Sequence, residues 1–188
     1  MKRSYQIGVM GSASDLNYSK KLNNLAEKTG YYIAKKGAIL IYGAEKDYDS
    51  LSTAACRGAK EAQGLTVGIT YGKGLDIYQQ EKTDVVIASG LNRGGGREFS
   101  LVLSCDAIIA ISGGSGTLSE IAIAYQANIP IVVLENSGGW STALENKYLD
   151  NRKRVKIKSA KSAKSAVSLI FKLLKEKKWK LLIYTKIY

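Results

Sequence analysis

The sequence contains no histidine among its 188 residues, and this absence excludes several classes of active site. A Ser-His-Asp triad, a Cys-His dyad and an H-E-x-x-H zinc site all require an imidazole. Any catalysis must therefore depend on carboxylates, arginine, lysine, tyrosine, hydroxyl groups or backbone N–H groups. The sequence predicts no metal site and no cofactor.

Cysteine is scarce, and long apolar runs are missing. Cys56 and Cys105 are far apart, form no C-x-x-C pair and lie in apolar-patterned segments. We expect both to be free, buried thiols, as in a reducing compartment. No apolar run approaches the roughly 20 residues that span a bilayer, and the N-terminus shows no signal peptide. These features predict a cytoplasmic protein that has no membrane partner.

Acidic residues are almost absent from the C-terminal part of the chain. Residues 1–150 contain 15 Lys/Arg and 15 Asp/Glu, whereas residues 151–188 contain 13 Lys/Arg and a single acid, Glu176. This segment therefore accounts for the whole net charge of +12. A basic patch can bind nucleic acid, but it is also typical of a solvent-exposed helix face. We favour the exposed face over nucleic acid as the explanation.

Apolar runs alternate with segments of helical length, which predicts an α/β fold. Strands separated by helices imply right-handed βαβ units, hence a Rossmann-like, doubly wound, mostly parallel sheet with helices on both faces. The predicted strands cover residues 5–10, 38–42, 65–70, 84–88, 106–111 and 129–134. The predicted helices cover residues 19–36, 48–63, 94–104, 116–128 and 160–177. The length suits one domain, residues 1–178, followed by a tail, residues 179–188, that could be a strand, an arm or a partner contact.

The last predicted helix explains much of the basic excess. Its apolar stripe comprises Ala163, Ala166, Val167, Ile170 and Leu174, whereas Lys161, Lys164, Lys172 and Lys175 lie off that stripe. This spacing predicts a helix that packs one face on the core and exposes its lysines to solvent.

The sharpest local feature is a glycine-rich turn between an apolar strand and a helix. Glycines let the backbone approach a ligand, and a helix N-terminus offers unpaired N–H groups and a partial positive charge to an anion. Ligands of open α/β sheets bind at the carboxyl ends of the strands, where the first strand also ends. We predict a site for a nucleotide-type phosphate at Gly11, Ser12, Gly113, Gly114, Ser115, Gly116 and Thr117. A tight turn without a ligand is the alternative.

Two charged residues are candidates for chemistry beside this turn. Glu120 lies in the first turns of the following helix, where it could cap the helix or face the phosphate pocket. Arg97 follows three glycines and could form a surface salt bridge or clamp an anion through its planar guanidinium. We predict that Arg97 and Glu120 share one site with the turn.

These residues resemble the motif of the LONELY GUY-type proteins, a family also labelled "possible lysine decarboxylases". That family carries an arginine in an R-K-x-x-M-type segment, followed by P-G-G-x-G-T-x-x-E. The matching positions in this sequence are Arg97, Gly113, Gly114, Gly116, Thr117 and Glu120. The resemblance implies a phosphoribohydrolase that splits a nucleoside 5′-monophosphate into free base and ribose 5-phosphate, with Arg97 and Glu120 as the catalytic pair. No motif marks the Schiff-base lysine that a pyridoxal-dependent decarboxylase needs.

This sequence is more similar still to a bacterial and archaeal branch that is related to DNA-processing protein A and to molybdenum-cofactor carrier proteins. The similarity lies in residues 58–69 and 88–90, and the resemblance as a whole covers residues 4–140. This sequence departs from the active hydrolases at Ser112, where proline is usual, and at Glu98, where lysine or asparagine is usual. The loop of residues 42–50 carries three acids in place of a G-G-G-x-x-G-x-M run.

The sequence therefore predicts a nucleotide-binding protein, with hydrolysis of the N-glycosidic bond of a nucleoside 5′-monophosphate as its best enzymatic interpretation. One alternative is a non-catalytic carrier of a phosphorylated pterin, such as the molybdenum cofactor, or of a nucleotide. A nucleic-acid-binding module is the third interpretation. The acidic loop favours the carrier, whereas the Arg97/Glu120 pair favours the hydrolase. Relatives are commonly dimers, so we expect a homodimer or higher homo-oligomer with contacts through the helix after Gly116.

Overall fold

The computed structural model describes residues 3–92 and 94–187, with side chains up to residue 179. The strands are β1 (Gln6–Gly11), β2 (Ile39–Gly43), β3 (Thr66–Thr70), β4 (Val85–Ala88), β5 (Ala107–Ile111), β6 (Ile131–Leu134) and β7 (Lys158–Ala160). The helices are α1 (Lys20–Lys35), α2 (Leu51–Glu61), α3 (Arg97–Leu103), α4 (Ser115–Gln126), α5 (Gly139–Ala143) and α6 (Ala163–Ile187). Two 3₁₀ turns, Ser14–Leu16 and Gln80–Lys82, complete the described elements.

The seven strands form one parallel sheet in the order β4-β3-β2-β1-β5-β6-β7. From β1 the chain winds outward through β2, β3 and β4, and it then returns to the centre at β5 and winds the other way. The boundary between β1 and β5 is therefore the point where the winding direction reverses, which is where such folds bind ligands. The predicted Rossmann-like, doubly wound fold is confirmed.

The sheet separates two apolar cores because successive side chains of a strand point to opposite faces. Ile109 and Ile111 of β5 pack in the core on the side of α1, α2 and α6. Ile108 and Ala110 of the same strand pack in the core on the side of α3 and α4. Burial on both faces explains why the central strands are almost entirely apolar.

The exposed face of α6 agrees with its sequence pattern. The predicted stripe from Ala163 to Leu174 is buried, and the lysines off the stripe are exposed. Backbone helix continues to Ile187, so the strand alternative for residues 179–188 is wrong; Tyr188 lies outside the described residues. The division into a domain of residues 1–178 and a separate tail stays a prediction. No helix among the described residues is long and apolar enough to cross a membrane.

Two elements were not predicted, the short helix α5 and the edge strand β7. Both lie after β6 in a polar stretch, where neither apolar alternation nor helical periodicity is present. Helix α5 starts at a glycine pair, Gly138 and Gly139, with φ angles of 83° and 54°. The expectation for the cysteines is confirmed, because Cys56 and Cys105 are both free and buried.

Candidate functional site

An open cavity of about 220 Å³ lies at the carboxyl ends of the central strands. Its walls come from the segments after β1, β2, β3 and β5 and from the first residues of α3 and α4. The lining residues are Gly11, Ser12, Ala13, Asp15, Leu16, Glu45, Tyr71, Arg97, Glu98, Gly114, Ser115, Gly116, Thr117 and Glu120. The cavity thus brings together eight of the nine residues predicted for the site, all except Gly113.

The glycine-rich turn leaves the N-terminus of α4 open to the cavity. Helices α1 and α2 begin with serine caps, Ser19 and Ser50, whose side chains accept a backbone N–H. Helix α4 begins instead after Gly114, and no side chain caps it. The first amides of a helix have no intrahelical acceptor, so those of Ser115, Gly116 and Thr117 are available to a ligand. A Cβ added at Gly116 would meet open space, so the backbone is accessible there.

The neighbouring loops hold the preceding part of the turn in place. Ser112 and Gly113 adopt left-handed φ angles of 57° and 100°. The Ser112 amide donates to Ser137 Oγ at 2.9 Å, and the carbonyls of Ser112 and Gly113 accept from the amides of Ser141 and Trp140. Every one of these bonds comes from the segment after β6. That segment therefore fixes the direction in which α4 starts.

Gly113 positions the turn. Its amide was expected to face the cavity, but it bonds a protein side chain instead. The Gly113 N–H donates to Ser12 Oγ at 2.9 Å, and a Cβ at this position would collide with the Thr117 side chain. Glycine is required here by the positive φ and by this close packing. The bond also joins the end of β1 to the turn after β5, and it leaves the Ser12 hydroxyl hydrogen for a ligand.

Arg97 is buried at the start of α3, with only 4% of its surface exposed, so it is not a surface ion-pair residue. Its Nη2 donates to Tyr71 Oη at 2.6 Å and to Glu45 Oε1 at 3.2 Å, and its Nη1 donates to the Ile69 carbonyl at 3.3 Å. The guanidinium carbon lies 3.9 Å from the centroid of the Tyr71 ring. Its Nε is buried and has no hydrogen-bond partner among the described residues.

The acids that line the cavity gather around this guanidinium. Glu98 Oε1 accepts from Tyr71 Oη at 2.9 Å and lies 4.0 Å from Arg97 Nε. Of the three acids in the loop after β2, only Glu45 lines the cavity. Asp49 instead forms an ion pair with Arg57, and Asp47 is exposed. The acidic loop therefore contributes one carboxylate to the site.

Glu120 lies on the cavity side of α4, with 8% of its surface exposed, and it does not cap the helix. The pKa of its carboxyl is raised to about 8, chiefly by burial; the charge of Arg97 opposes this shift, and the charges of Glu98 and Glu45 add to it. At neutral pH this carboxyl is therefore mostly protonated and can donate a hydrogen bond. Together with the exposed Asp15, four carboxyl groups and one guanidinium of the described residues line the cavity.

Sequence reasoning did not single out Tyr71, Asp15 or Leu16. Each follows the end of a strand, as do the predicted residues, but none belongs to a recognisable motif. The only signal was position, because a residue just after a parallel strand lies at the ligand-binding edge. The described residues contain no group of three or more His, Cys, Asp or Glu side chains that could hold a metal ion.

Comparison with known families identifies the relatives of this fold. The model of the SLOG cluster4 family matches residues 4–167, which include all of the cavity's lining residues. The chain belongs to the SLOG cluster4 family. An uncharacterized protein of Archaeoglobus fulgidus is 37% identical over 121 residues, which is 64% of this chain and 74% of that protein.

Solved structures with the same fold cover nearly the whole chain. The structure of TM1055 has a TM-score of 0.79 and 29% identity, and the match covers 89% of this chain and 99% of that one. The molybdenum cofactor binding protein from the phototrophic bacterium Rippkaea orientalis gives a TM-score of 0.77 at 30% identity, over 93% and 99% of the two chains. The molybdenum cofactor carrier protein of Chlamydomonas reinhardtii gives 0.74 at 29% identity, over 92% and 99%.

Proposed function

We propose that this protein binds and carries a small phosphorylated molecule, either a phosphorylated pterin such as the molybdenum cofactor or a nucleotide. The phosphate lies against the N-terminus of α4, where the amides of Ser115, Gly116 and Thr117 and the hydroxyl of Ser12 can donate to it. The rest of the ligand extends along the cavity toward Arg97.

The observation that carries this proposal is the uncapped start of α4 inside the cavity at the winding reversal. Backbone amides and the helix dipole attract an anion without any lysine in the site. The similarity to two molybdenum cofactor proteins over more than nine-tenths of the chain supports a ligand of this class.

Two features favour carriage over turnover. The Arg97 guanidinium already bonds Glu45, Tyr71 and the Ile69 carbonyl, so it has little capacity left to clamp an anion. Glu120 has its pKa raised to about 8, and a protonated carboxyl does not stabilise the positive charge that develops on ribose during glycosidic cleavage. A carrier needs neither an anion clamp nor an ionised carboxylate.

Native mass spectrometry of the purified protein, combined with calorimetric titrations of a pterin monophosphate and of AMP, tests the proposal. We expect a non-covalent ligand that contains phosphorus, or saturable 1:1 binding of at least one of the two compounds. A ligand-free mass together with no binding of either compound would reject it.

Hydrolysis of a nucleoside monophosphate is the second candidate, because Arg97 and Glu120 line the same cavity as the turn. If it occurs, Glu120→Gln abolishes base release but largely preserves nucleotide affinity, since the carboxylate acts on the transition state. Arg97→Ala weakens binding and turnover together. Chromatography of a panel of nucleoside monophosphates measures free base, and binding without release would leave only the carrier.

We also propose that the protein is a homo-oligomer that associates through α3 and α4. Phe99 and Leu103 are 56% and 57% exposed and lie beside a shallow apolar groove lined by Ala122, Ile123 and Ala127. Large exposed apolar patches are typical of protein interfaces. Light scattering should show a dimer or larger assembly, which Leu103→Glu dissociates and Leu65→Glu, at an exposed leucine elsewhere, does not. A monomeric wild-type protein would overturn this proposal.

A further inference from the structure

A groove lies at the opposite edge of the sheet from the ligand cavity. Its volume is about 350 Å³, and it is bordered by the chain before β6, the segment that enters β7 and the later part of α6. Strands β6 and β7 are parallel, and the groove is at the edge where both begin. The proposed phosphate site is at the carboxyl edge, which the four residues of β6 place at least about 13 Å away. A ligand in the groove is therefore separate from a ligand in the cavity.

The floor of this groove is aliphatic. Pro130 and Ile131 are buried at its base. Val155 packs against the core on the side of α3 and α4, Leu173 packs against the core on the other side of the sheet, and both are partly buried. No aromatic side chain is among the described residues that line the groove. Such a floor favours contact with the hydrocarbon part of a ligand.

The rim of the groove is cationic. It carries four basic residues and one acid, namely Arg154, Lys156, Lys158, Lys177 and Glu176. Lys177 Nζ donates to the Asn128 carbonyl at 2.9 Å, which holds the ammonium group at the groove and leaves two of its hydrogens for a ligand. The side chains of Arg154, Lys156 and Lys158 form no ion pair within the part of the chain whose side chains are described. Their charges are therefore available to an anion.

The segment that carries these cations is anchored to the buried core. The Tyr125 side chain is 1% exposed, and its hydroxyl accepts from the Arg154 amide at 3.1 Å and donates to Asp150 Oδ1 at 2.6 Å. Asp150 Oδ2 accepts from Arg152 Nε, so this acid pairs with Arg152 and leaves Arg154 unpaired. The rim is thus held in place by its backbone while its charged side chains stay without partners.

Floor and rim together distinguish between the candidate occupants. A second copy docked by the same face would bring like charges together, which is unfavourable. The flat surface of a bilayer cannot enter a groove. Single-stranded nucleic acid is bound largely by stacking on aromatic side chains, which the described lining lacks. A small anion with an apolar body matches both the cations and the aliphatic floor.

We propose that this groove is a second binding site, for a small amphiphilic anion with a carboxylate or phosphate head on an aliphatic body. The head contacts Arg154, Lys156 and Lys158, and the body lies on the floor between Val155 and Leu173. This site does not depend on the proposed function, because it shares no residue with the cavity.

Amide chemical shifts of ¹⁵N-labelled protein test the site with four probes, each kept below its micelle concentration. Octanoate and octyl phosphate combine a charged head with a chain, and the tighter of the two identifies the head group. We expect at least one of them to shift the amides of Ile131, Val155 and Leu173 saturably. Acetate should bind at least about tenfold more weakly because it lacks the chain. Octyl glucoside should also bind at least about tenfold more weakly because its head is uncharged.

A pair of double variants separates the groove from the general positive charge of this region. Arg154→Gln combined with Lys156→Gln should weaken the tighter amphiphile at least about fivefold, since two cations of the rim are lost. Lys161→Gln combined with Lys164→Gln is the matched control, because it removes two exposed charges outside the groove, and it should change affinity less than about twofold.

The other outcomes would overturn the proposal. They are equal binding of octanoate and octyl glucoside, equal losses in the two double variants, and shifts confined to the apolar groove between α3 and α4. Unchanged groove amides with both charged amphiphiles would reject it as well. If these amides respond instead to a single-stranded oligothymidylate at physiological salt, the surface binds nucleic acid and the proposal is wrong.

Discussion

The two walls of the cavity attract different parts of a ligand by different means. The wall at α4 consists of small residues and acts through backbone amides, with no charged side chain in the turn itself. The opposite wall acts through side chains, because a buried arginine bonds Glu45 directly and Glu98 through Tyr71, and these residues come from three separate segments. Backbone donors attract an anion whatever the neighbouring side chains are, whereas the side-chain wall depends on every member of its charge network.

Removal of Arg97 should give the largest effect, because it would leave the carboxylates of the charged wall without a counter-ion. We expect Arg97→Met to lower the free energy of unfolding by about 3 to 5 kcal/mol. Urea denaturation at pH 7 measures this loss of unfolding free energy. Arg3→Met, which breaks an exposed pair with Asp106, is the control and should cost less than about 1 kcal/mol. Equal losses in both variants would show that the buried network is not special.

A negative charge placed on the wall at α4 should prevent ligand binding without unfolding the protein. Ser115→Asp puts a carboxylate where the phosphate is proposed to lie, and we expect roughly a 100-fold loss of nucleotide affinity from like-charge repulsion. An acid in the first turn of a helix is favourable, so the melting temperature should not fall. Ser119→Asp, one turn further along α4 and outside the cavity, should change affinity less than about threefold. A similar loss in both variants would place the ligand elsewhere.

The raised pKa of Glu120 makes the cavity sensitive to pH. Its pKa is about 8 in the folded protein against 4.5 for the unperturbed group, so the folded state holds the extra proton between these values. The associated stability is fully present below pH 4.5 and is lost as the pH rises through about 8, with a slope of at most about 1.4 kcal/mol per pH unit.

The variant Glu120→Gln isolates this contribution, because it cannot titrate. Its free energy of unfolding should depend less on pH than that of the wild-type protein between pH 5 and pH 8. Chemical denaturation across that range gives both curves. Parallel curves would mean that Glu120 does not hold the extra proton.

The smallest expected effect is that of Tyr71→Phe, which keeps the ring over Arg97 but removes the hydroxyl between Arg97 and Glu98. We expect a loss of about 1 to 2 kcal/mol in unfolding free energy, because two hydrogen bonds to charged groups disappear. Tyr148→Phe, at an exposed position after α5, serves as the control in the same denaturation experiment and should be neutral. No difference between the two variants would show that the bridge contributes nothing.

How much the sequence predicted also differs between the walls. The turn after β5 is contiguous, so an apolar strand followed by glycines and a helix identified its position from local pattern alone. Even so, the sequence could not show that the Gly113 amide bonds Ser12, because that contact joins residues about a hundred positions apart. The charged side chains of the cavity were only partly predicted. Arg97 and Glu120 belong to a motif, whereas Tyr71 is brought to them by the sheet order.

The elements of the fold differ in the same way, because some have a clear sequence pattern and others have none. Strands β1 to β6 were recognisable because they are continuously apolar. Burial on both faces explains this pattern for all of them except the edge strand β4, whose residues are largely exposed. Strand β7 has three residues and mixed polarity, and α5 has five, so neither carries enough repeats for a period to be detected. Yet the segment that contains α5 holds the carbonyls of Ser112 and Gly113. An element without a sequence signal thus fixes the most recognisable motif.

Amide chemical shifts during a phosphate titration show whether the phosphate binds at the start of α4, and a chain of 20.4 kDa suits this measurement. Inorganic phosphate, and then uridine 5′-monophosphate, is added to ¹⁵N-labelled protein. We expect the amides of Ser115, Gly116 and Thr117 to shift saturably with both ligands, and the Arg97 Nε–H to respond only to the nucleotide. Unchanged amides at the start of α4, with shifts confined to the lysine-rich face of α6, would contradict this expectation.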